Sequence, residues 1–262
     1  MSILDLATPV QETVESINMV LYGDNGVGKT HFAGSGRDHG KNDLIIAVEQ
    51  GTVSAARAGS QASVLHAKDY DTLMQIIEAV EAEPDRFEWV VLDSLTKTQD
   101  LIWDHILGTA TERNPSRSRY KKELQEYGEA QERLKEIVER LVSCEANVIF
   151  TAQAELDVDE ESQEYKRPQL HGRQGAIAQW VCAQVDLVGY LRVAKHKGKT
   201  YRRFEFNKEP EFYAKDRFAA FPTFVPNLTL EKMTDTLLGA GVEEEANDND
   251  NENSATPADD KE

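Results

Sequence analysis

The apolar run Met19-Val20-Leu21-Tyr22 feeds directly into GDNGVGKT, residues 23 to 30, and the chain continues as His31-Phe32-Ala33. Gly, four residues, then Gly-Lys-Thr is the spacing of a phosphate-binding loop set between a strand and a helix. Each position has a physical reason. Gly23, Gly26 and Gly28 permit backbone dihedrals that a Cβ forbids, so successive N–H groups can turn inward toward a polyphosphate. Asp24, Asn25 and Val27 complete the loop. Lys29 supplies a point charge for the β- and γ-phosphates, and the Thr30 hydroxyl is suited to ligate Mg²⁺. The positive end of the following helix adds to the field. A Gly-rich turn that binds nothing is the plain alternative. A strand, loop and helix in this order commit the chain to an α/β fold with a mostly parallel sheet.

Downstream, Glu88-Trp89-Val90-Val91-Leu92-Asp93-Ser94 is a buried strand ending in a carboxylate. Such a strand beside the phosphate loop brings Asp93 to the Mg²⁺ from the sheet rim; a helix-capping role for Asp93 is compatible with it. Leu44 to Val48 is a continuous apolar strand that delivers Glu49 at its end. Asn147 to Ala152 is another, and it ends in Gln153, a side chain able to hydrogen-bond a γ-phosphate or an attacking water. Between these lie a short strand at Ser63 to His66 and a helix from Asp69 to Ala82, with Leu73, Ile76, Ile77 and Val80 on one face. A helix from Leu95 to Leu107 and another reaching about Cys144 follow the Asp93 strand.

Two stretches are candidates for nucleic acid. TERNPSRSRYKK, 111 to 122, places Arg113, Arg117, Arg119, Lys121 and Lys122 within ten residues that contain no acid, with Tyr120 beside them. It reads equally as a phosphate-gripping loop with a stacking tyrosine or as a solvated loop. A long polar loop from Ala154 to Gln174 holds Lys166, Arg167 and Arg173, and loops of this length are usually functional or disordered. Beyond a helix at Ala176 to Gln184, residues 186–193 and 201–206 form an antiparallel hairpin about Lys197-Gly198-Lys199, with six Lys/Arg from Arg192 to Arg203. Alternation puts Arg202, Phe204 and Phe206 on one face, and Tyr201, Arg203 and Glu205 on the other. Lys215 and Arg217 share a direction if their segment is extended, and a last helix runs from Leu230 to Leu238.

The 262 residues suffice for one large α/β domain or two small ones. The expected layout is an N-terminal arm, 1–16, a folded domain, 17–242, and a tail, 243–262. That tail holds nine acids and one Lys, which is −8 of the net −18, and it lacks the apolar surface to fold. It reads as a solubiliser or as an internal mimic of nucleic acid. No stretch approaches the roughly 20 apolar residues of a membrane span, and the N-terminus lacks signal-peptide character, so a cytoplasmic protein with no membrane partner is expected. Cys144 and Cys182 lack metal-like spacing and read as buried thiols.

Taken together, GDNGVGKT, VVLDS, the strand ending in Gln153 and the Lys215-x-Arg217 pair resemble the RecA-like P-loop ATPases over about residues 17 to 225. Within them the chain resembles most the small phage-encoded single-strand annealing and recombination proteins. The resemblance implies a RecA-like P-loop NTPase fold, a mostly parallel twisted sheet flanked by helices with a C-terminal antiparallel hairpin. It also implies ATP and Mg²⁺ as cofactors. In AAA+ proteins a Glu commonly follows the strand-end Asp, and here that place is Ser94. RecA-like proteins instead draw this carboxylate from the strand after the phosphate-loop helix, which makes Glu49 the group that polarises water. Gln153 resembles a γ-phosphate sensor coupled to a DNA-binding loop. Lys215 and Arg217 resemble fingers that complete a neighbouring subunit's site in trans, so a homo-oligomer is implied. The expected function is ATP-driven single-stranded DNA annealing or recombination. A nucleotide-gated regulator or loader acting on a replication or single-strand-binding protein partner is the alternative, and a small-molecule kinase is a third.

Overall fold

The computed structural model describes residues 16–36, 42–49, 51–57, 59–118, 120–158, 162–172 and 175–238. Most of the N-terminal arm, the acidic tail, Arg119 and Arg173 lie outside these residues. The strands are β1 (Asn18–Gly23), β2 (Asn42–Ala47), β3 (Ser63–His66), β4 (Phe87–Asp93), β5 (Asn147–Val158), β6 (Glu164–Pro168), β7 (Leu187–His196), β8 (Lys199–Glu205), β9 (Lys215–Asp216) and β10 (Val225–Pro226). They form one sheet in the order β10-β8-β7-β1-β5-β4-β2-β3, with β6 paired to β5 and β9 to β7. From β3 to β7 every pairing is parallel; β8 and β10 are antiparallel additions. The expected α/β architecture with a C-terminal hairpin is therefore what forms.

The helices are α1 (Lys29–Ala33), α2 (Val53–Arg57), α3 (Tyr70–Ala82), α4 (Leu95–Arg113), α5 (Leu124–Val142), α6 (Ala176–Gln184) and α7 (Leu230–Leu238). The period of two along each strand divides the core into two layers. Val20, Tyr22, Leu44, Ile46, Val90 and Leu92 face α3, α4, α5 and α6. Met19, Leu21, Ile45, Trp89 and Val91 face the opposite layer, with α1, α2 and α7. Trp89 is fully enclosed and donates its indole N–H to Thr234 Oγ1 at 2.9 Å, which ties α7 to the centre of the sheet. Trp89→Ala would cost about 3–5 kcal/mol of stability. Both cysteines are buried and free, as the spacing predicts. No helix among the described residues is long and apolar enough to cross a membrane.

The structure departs from the sequence reading in two elements that bear on function. Strand β5 does not end at Gln153 but runs on to Val158, and the supposed loop returns as β6, registered Ala154 to Pro168 and Val158 to Glu164. Ala154-Glu155-Leu156-Asp157-Val158 does alternate, but the extension projects beyond the covered sheet, where Leu156 and Val158 stay exposed and no buried face marks it as a strand. Helix α4 likewise continues past Leu107 to Arg113, since Gly108 costs only about 1 kcal/mol within a helix already held by packing.

Candidate functional site

Strand β1 ends at Gly23 level with Gln153 of β5 and Leu191 of β7. The phosphate loop therefore springs from the middle of the sheet, at the C-terminal edge of its parallel strands. Gly26 and Gly28 carry φ of 75° and 110°, conformations that L side chains rarely adopt. Gly23 is required for a different reason, because a Cβ there would lie 2.3 Å from the Leu191 carbonyl oxygen. Helix α1 has only five residues, so its dipole is small and the loop's own N–H groups and Lys29 dominate the field. Lys29 Nζ donates to the carbonyls of Gly23 at 2.8 Å and Asp24 at 3.1 Å. Burial holds its pKa below the ordinary lysine value, against the opposing charges of Asp93, Glu49 and Asp24. Asp24 and Asn25 are exposed on the outer turn while Val27 packs into the core layer below it, and Asp24 Oδ1 accepts from Lys166 Nζ at 3.1 Å.

Asp93 reaches this loop from two strands away, because β5 lies between β1 and β4. Its carboxylate is buried yet fully engaged: Thr30 Oγ1 donates to Oδ2 at 2.6 Å, and Thr151 Oγ1 donates to Oδ1. The capping role belongs to Ser94 instead, whose Oγ accepts from Lys97 N at 3.4 Å, leaving Asp93 Oδ2 free to meet the loop and Oδ1 to meet β5. Thr151 was not picked out in the sequence; its one signal is a polar residue at the end of the apolar run Val148-Ile149-Phe150. The Thr30–Asp93 pair is a set of hard oxygen donors at the phosphate loop, which suits Mg²⁺, an ion bound by one or two protein ligands plus phosphates and water. These residues fit the nucleotide and the ion that a chain of this kind implies. Mg²⁺ bound there would offset charge on the phosphates.

Glu49 follows β2 at the same edge. Its pKa is raised, first by burial and then by the nearby charge of Asp93, while Lys97 and Lys29 pull it down. Gln153 binds through its backbone: its N–H donates to Thr96 Oγ1 at 3.1 Å and its carbonyl accepts from Gln169 N at 2.7 Å. Thr96 in turn donates to the Gln169 carbonyl at 3.0 Å. One turn further along α4, Gln99 makes two bonds to the backbone of His171, at 3.0 and 2.8 Å. A polar seam on α4 thus joins the Asp93 strand end, Gln153 and the segment after β6.

Several expected cations are engaged elsewhere. Arg117 lies 2.7 Å from the Glu126 carboxylate and donates to the Lys121 carbonyl; the acid it meets comes from α5, outside the acid-free run. Arg167 is buried, with Nε 2.6 Å from Asp157 and Nη2 3.0 Å from Glu155. Lys166 points to Asp24. Lys215 donates to the carbonyls of Cys182, Ala183 and Val185 at the end of α6, and Arg217 pairs with Asp186 at 2.7 Å. Because β9 pairs with Leu187 and Val188, level with Met19 and Val20, these two lie at the far end of β1 from the phosphate loop. They close the α6 corner of their own chain, and the geometry gives them no reach toward a phosphate at this edge. Lys121 and Lys122 remain at the surface, with Lys122 Nζ 4.0 Å over the Trp103 ring, while Arg113 closes α4 in an exposed last turn.

The described part of the chain is similar in fold to a solved structure of a KaiC-like protein from the hyperthermophilic archaeon Pyrococcus horikoshii OT3. The TM-score is 0.50 and the identity 16%, with 81% of this chain and 85% of that one covered. No curated protein matches the sequence. A family model described as an AAA domain matches residues 15–218, a span that includes the phosphate loop, Glu49, Asp93, Gln153 and both projecting hairpins. With this match over most of its length, the chain belongs to that AAA domain family.

Proposed function

We propose that this chain is a Mg²⁺-dependent ATPase that couples hydrolysis to binding of single-stranded DNA, in the service of annealing or recombination. The observation that carries the reading is the α4 seam, in which Thr96 and Gln99 hold Gln153 and the Gln169–His171 segment in one hydrogen-bonded unit with the Asp93 edge. In the hydrolytic step Lys29 and the loop N–H groups hold the β- and γ-phosphates. Thr30 and Asp93 would hold Mg²⁺, which would offset the phosphate charge. Glu49 orients and deprotonates the attacking water, and its raised pKa makes it a better proton acceptor than an exposed glutamate. Gln153 senses the γ-phosphate, and its displacement passes through Thr96 to the 169–171 backbone.

The DNA-facing surface in this reading lies where the seam emerges. A groove of about 600 Å³ there is lined by Gln99, Trp103, Leu124, Tyr127 and His171. Tyr120, Leu124 and Tyr127 are exposed, and Lys121 and Lys122 adjoin them. Aromatic faces beside lysines suit stacked bases and a phosphate backbone. The test is fluorescence anisotropy of a labelled oligonucleotide with ADP or a non-hydrolysable ATP analogue. The analogue should tighten binding relative to ADP; equal affinity in both states would sink the coupling.

A further inference from the structure

Arg202 stands apart from the other arginines of its hairpin. Arg192 and Arg203 both converge on the buried Glu205, at 2.7 and 2.6 Å. Arg202 points to the other face of β8, above Phe204, whose ring packs 5.1 Å from that of Phe32 on α1. This carries its guanidinium to the phosphate loop, where Nε donates to the Val27 carbonyl at 3.0 Å. A Cβ on Gly28 would lie 2.3 Å from Arg202 Nε and 3.0 Å from Cζ, so the cation is laid against the residue that precedes Lys29. Its backbone is fixed from both sides: Arg202 N donates to Asn227 Oδ1 at 3.0 Å, and Asn227 N donates to the Arg202 carbonyl at 2.8 Å. Asn227 adopts a φ of 48° to do this, a conformation that Asn tolerates better than most residues. No carboxylate pairs with Arg202 among the described residues. At the same corner the His31 pKa is lowered, first by burial and then by Arg202, which leaves the arginine as the charged member of the two.

From this placement we infer that Arg202 is a second phosphate-binding cation of the nucleotide site, delivered by β8 and aimed at the polyphosphate of a nucleoside di- or triphosphate. The inference rests on the nucleotide-binding reading of the loop. Arginine suits the task because one N–H can hold the loop carbonyl while the rest of the fork faces an anion. Lysine carries its three donors and its charge on one nitrogen, whereas the guanidinium spreads them across a planar fork. The pairing also explains the hairpin's sequence: Arg202 falls on the face of Phe204 and Phe206, where alternation would place an apolar side chain.

A purely structural brace is the competing role, and Arg202→Gln separates the two. Glutamine Nε2 occupies the chain position of arginine Nε, so it retains a donor for the Val27 carbonyl while removing the charge. Calorimetric titration with ADP should be run on the full chain and on Lys29→Ala, Arg202→Ala, Arg202→Gln and Arg202→Lys, each checked for fold by circular dichroism. Binding by the unaltered chain and its loss in Lys29→Ala establish the nucleotide site itself. Arg202→Ala and Arg202→Gln should then both weaken ADP by about tenfold or more, as expected for a lost charge-assisted hydrogen bond, and Arg202→Lys should recover part of it. Wild-type affinity in Arg202→Gln would overturn the inference and leave the site intact. Failure of the unaltered chain to bind ADP would remove both.

Discussion

The phosphate-loop edge and the connection between α4 and α5 each gather several charged side chains, but they hold them in opposite ways. At the edge, Asp93 is buried and met by two hydroxyls, Lys29 is enclosed among three carboxylates, and Glu49 is pushed toward its protonated form. In the connection, Arg117 is tied to Glu126 while Lys121, Lys122 and Tyr120 stand at the surface. The first arrangement is preorganised, so removing one group should change chemistry. In the second, Lys121, Lys122 and Tyr120 stand in high dielectric, so removing one of them should change only binding, while the Arg117–Glu126 pair bears on local stability.

The largest effect should come from Lys29→Ala, which is expected to lower kcat by at least about 100-fold, in the range seen when one preorganised donor is lost. Steady-state phosphate release checks it, and Lys121→Ala, on the exposed side, should hydrolyse ATP at the wild-type rate without DNA. Next comes Glu49→Gln, with a fall in kcat of about 100-fold and nucleotide affinity retained. Because the base must be ionised and its pKa is raised, wild-type kcat should decline as pH falls through that pKa, and Glu49→Gln should lose this limb. Normal turnover in the variant would end its assignment as the base.

On the connection, Arg117→Ala should lower the melting temperature by removing the ion pair to Glu126, which then keeps its bond from Glu123 N. It should not change the salt dependence of DNA binding. Lys121→Ala and Lys122→Ala should each reduce the slope of log K against log salt by about 1. A reversed pattern would place the DNA path through Arg117. The smallest effect is for Ser94→Ala, about 1 kcal/mol from the lost cap of α4.

The two regions also differ in how much of them could be read beforehand. At the loop edge the chemistry is local in sequence: Gly26, Gly28, Lys29 and Thr30 are contiguous, and Asp93 and Glu49 each sit at the end of an apolar run whose burial is itself a sequence signal. Thr151 escaped notice, and Arg202 was assigned a face of the hairpin but not the loop it meets, because their partners are distant in the chain and only strand register brings them together. The ion pairs made by the basic runs are hidden in the sequence for the same reason. Arg117, Arg167 and Arg217 look unpaired in sequence, but their acids arrive from α5, from the extended end of β5 and from the turn before β7. Among the described residues Lys215 is ion-paired to no acid and instead gathers carbonyls at the end of a helix, a use that charge counting does not register.

The measurement closest to the central claim is steady-state ATP hydrolysis with and without single-stranded DNA, with Lys29→Ala as the blank and Gln99→Ala as the test of the seam. Coupling through α4 predicts that DNA stimulates the wild-type rate, and that Gln99→Ala keeps its DNA-free rate but loses most of the stimulation. A wild-type rate indifferent to DNA, or full stimulation in Gln99→Ala, would contradict that account.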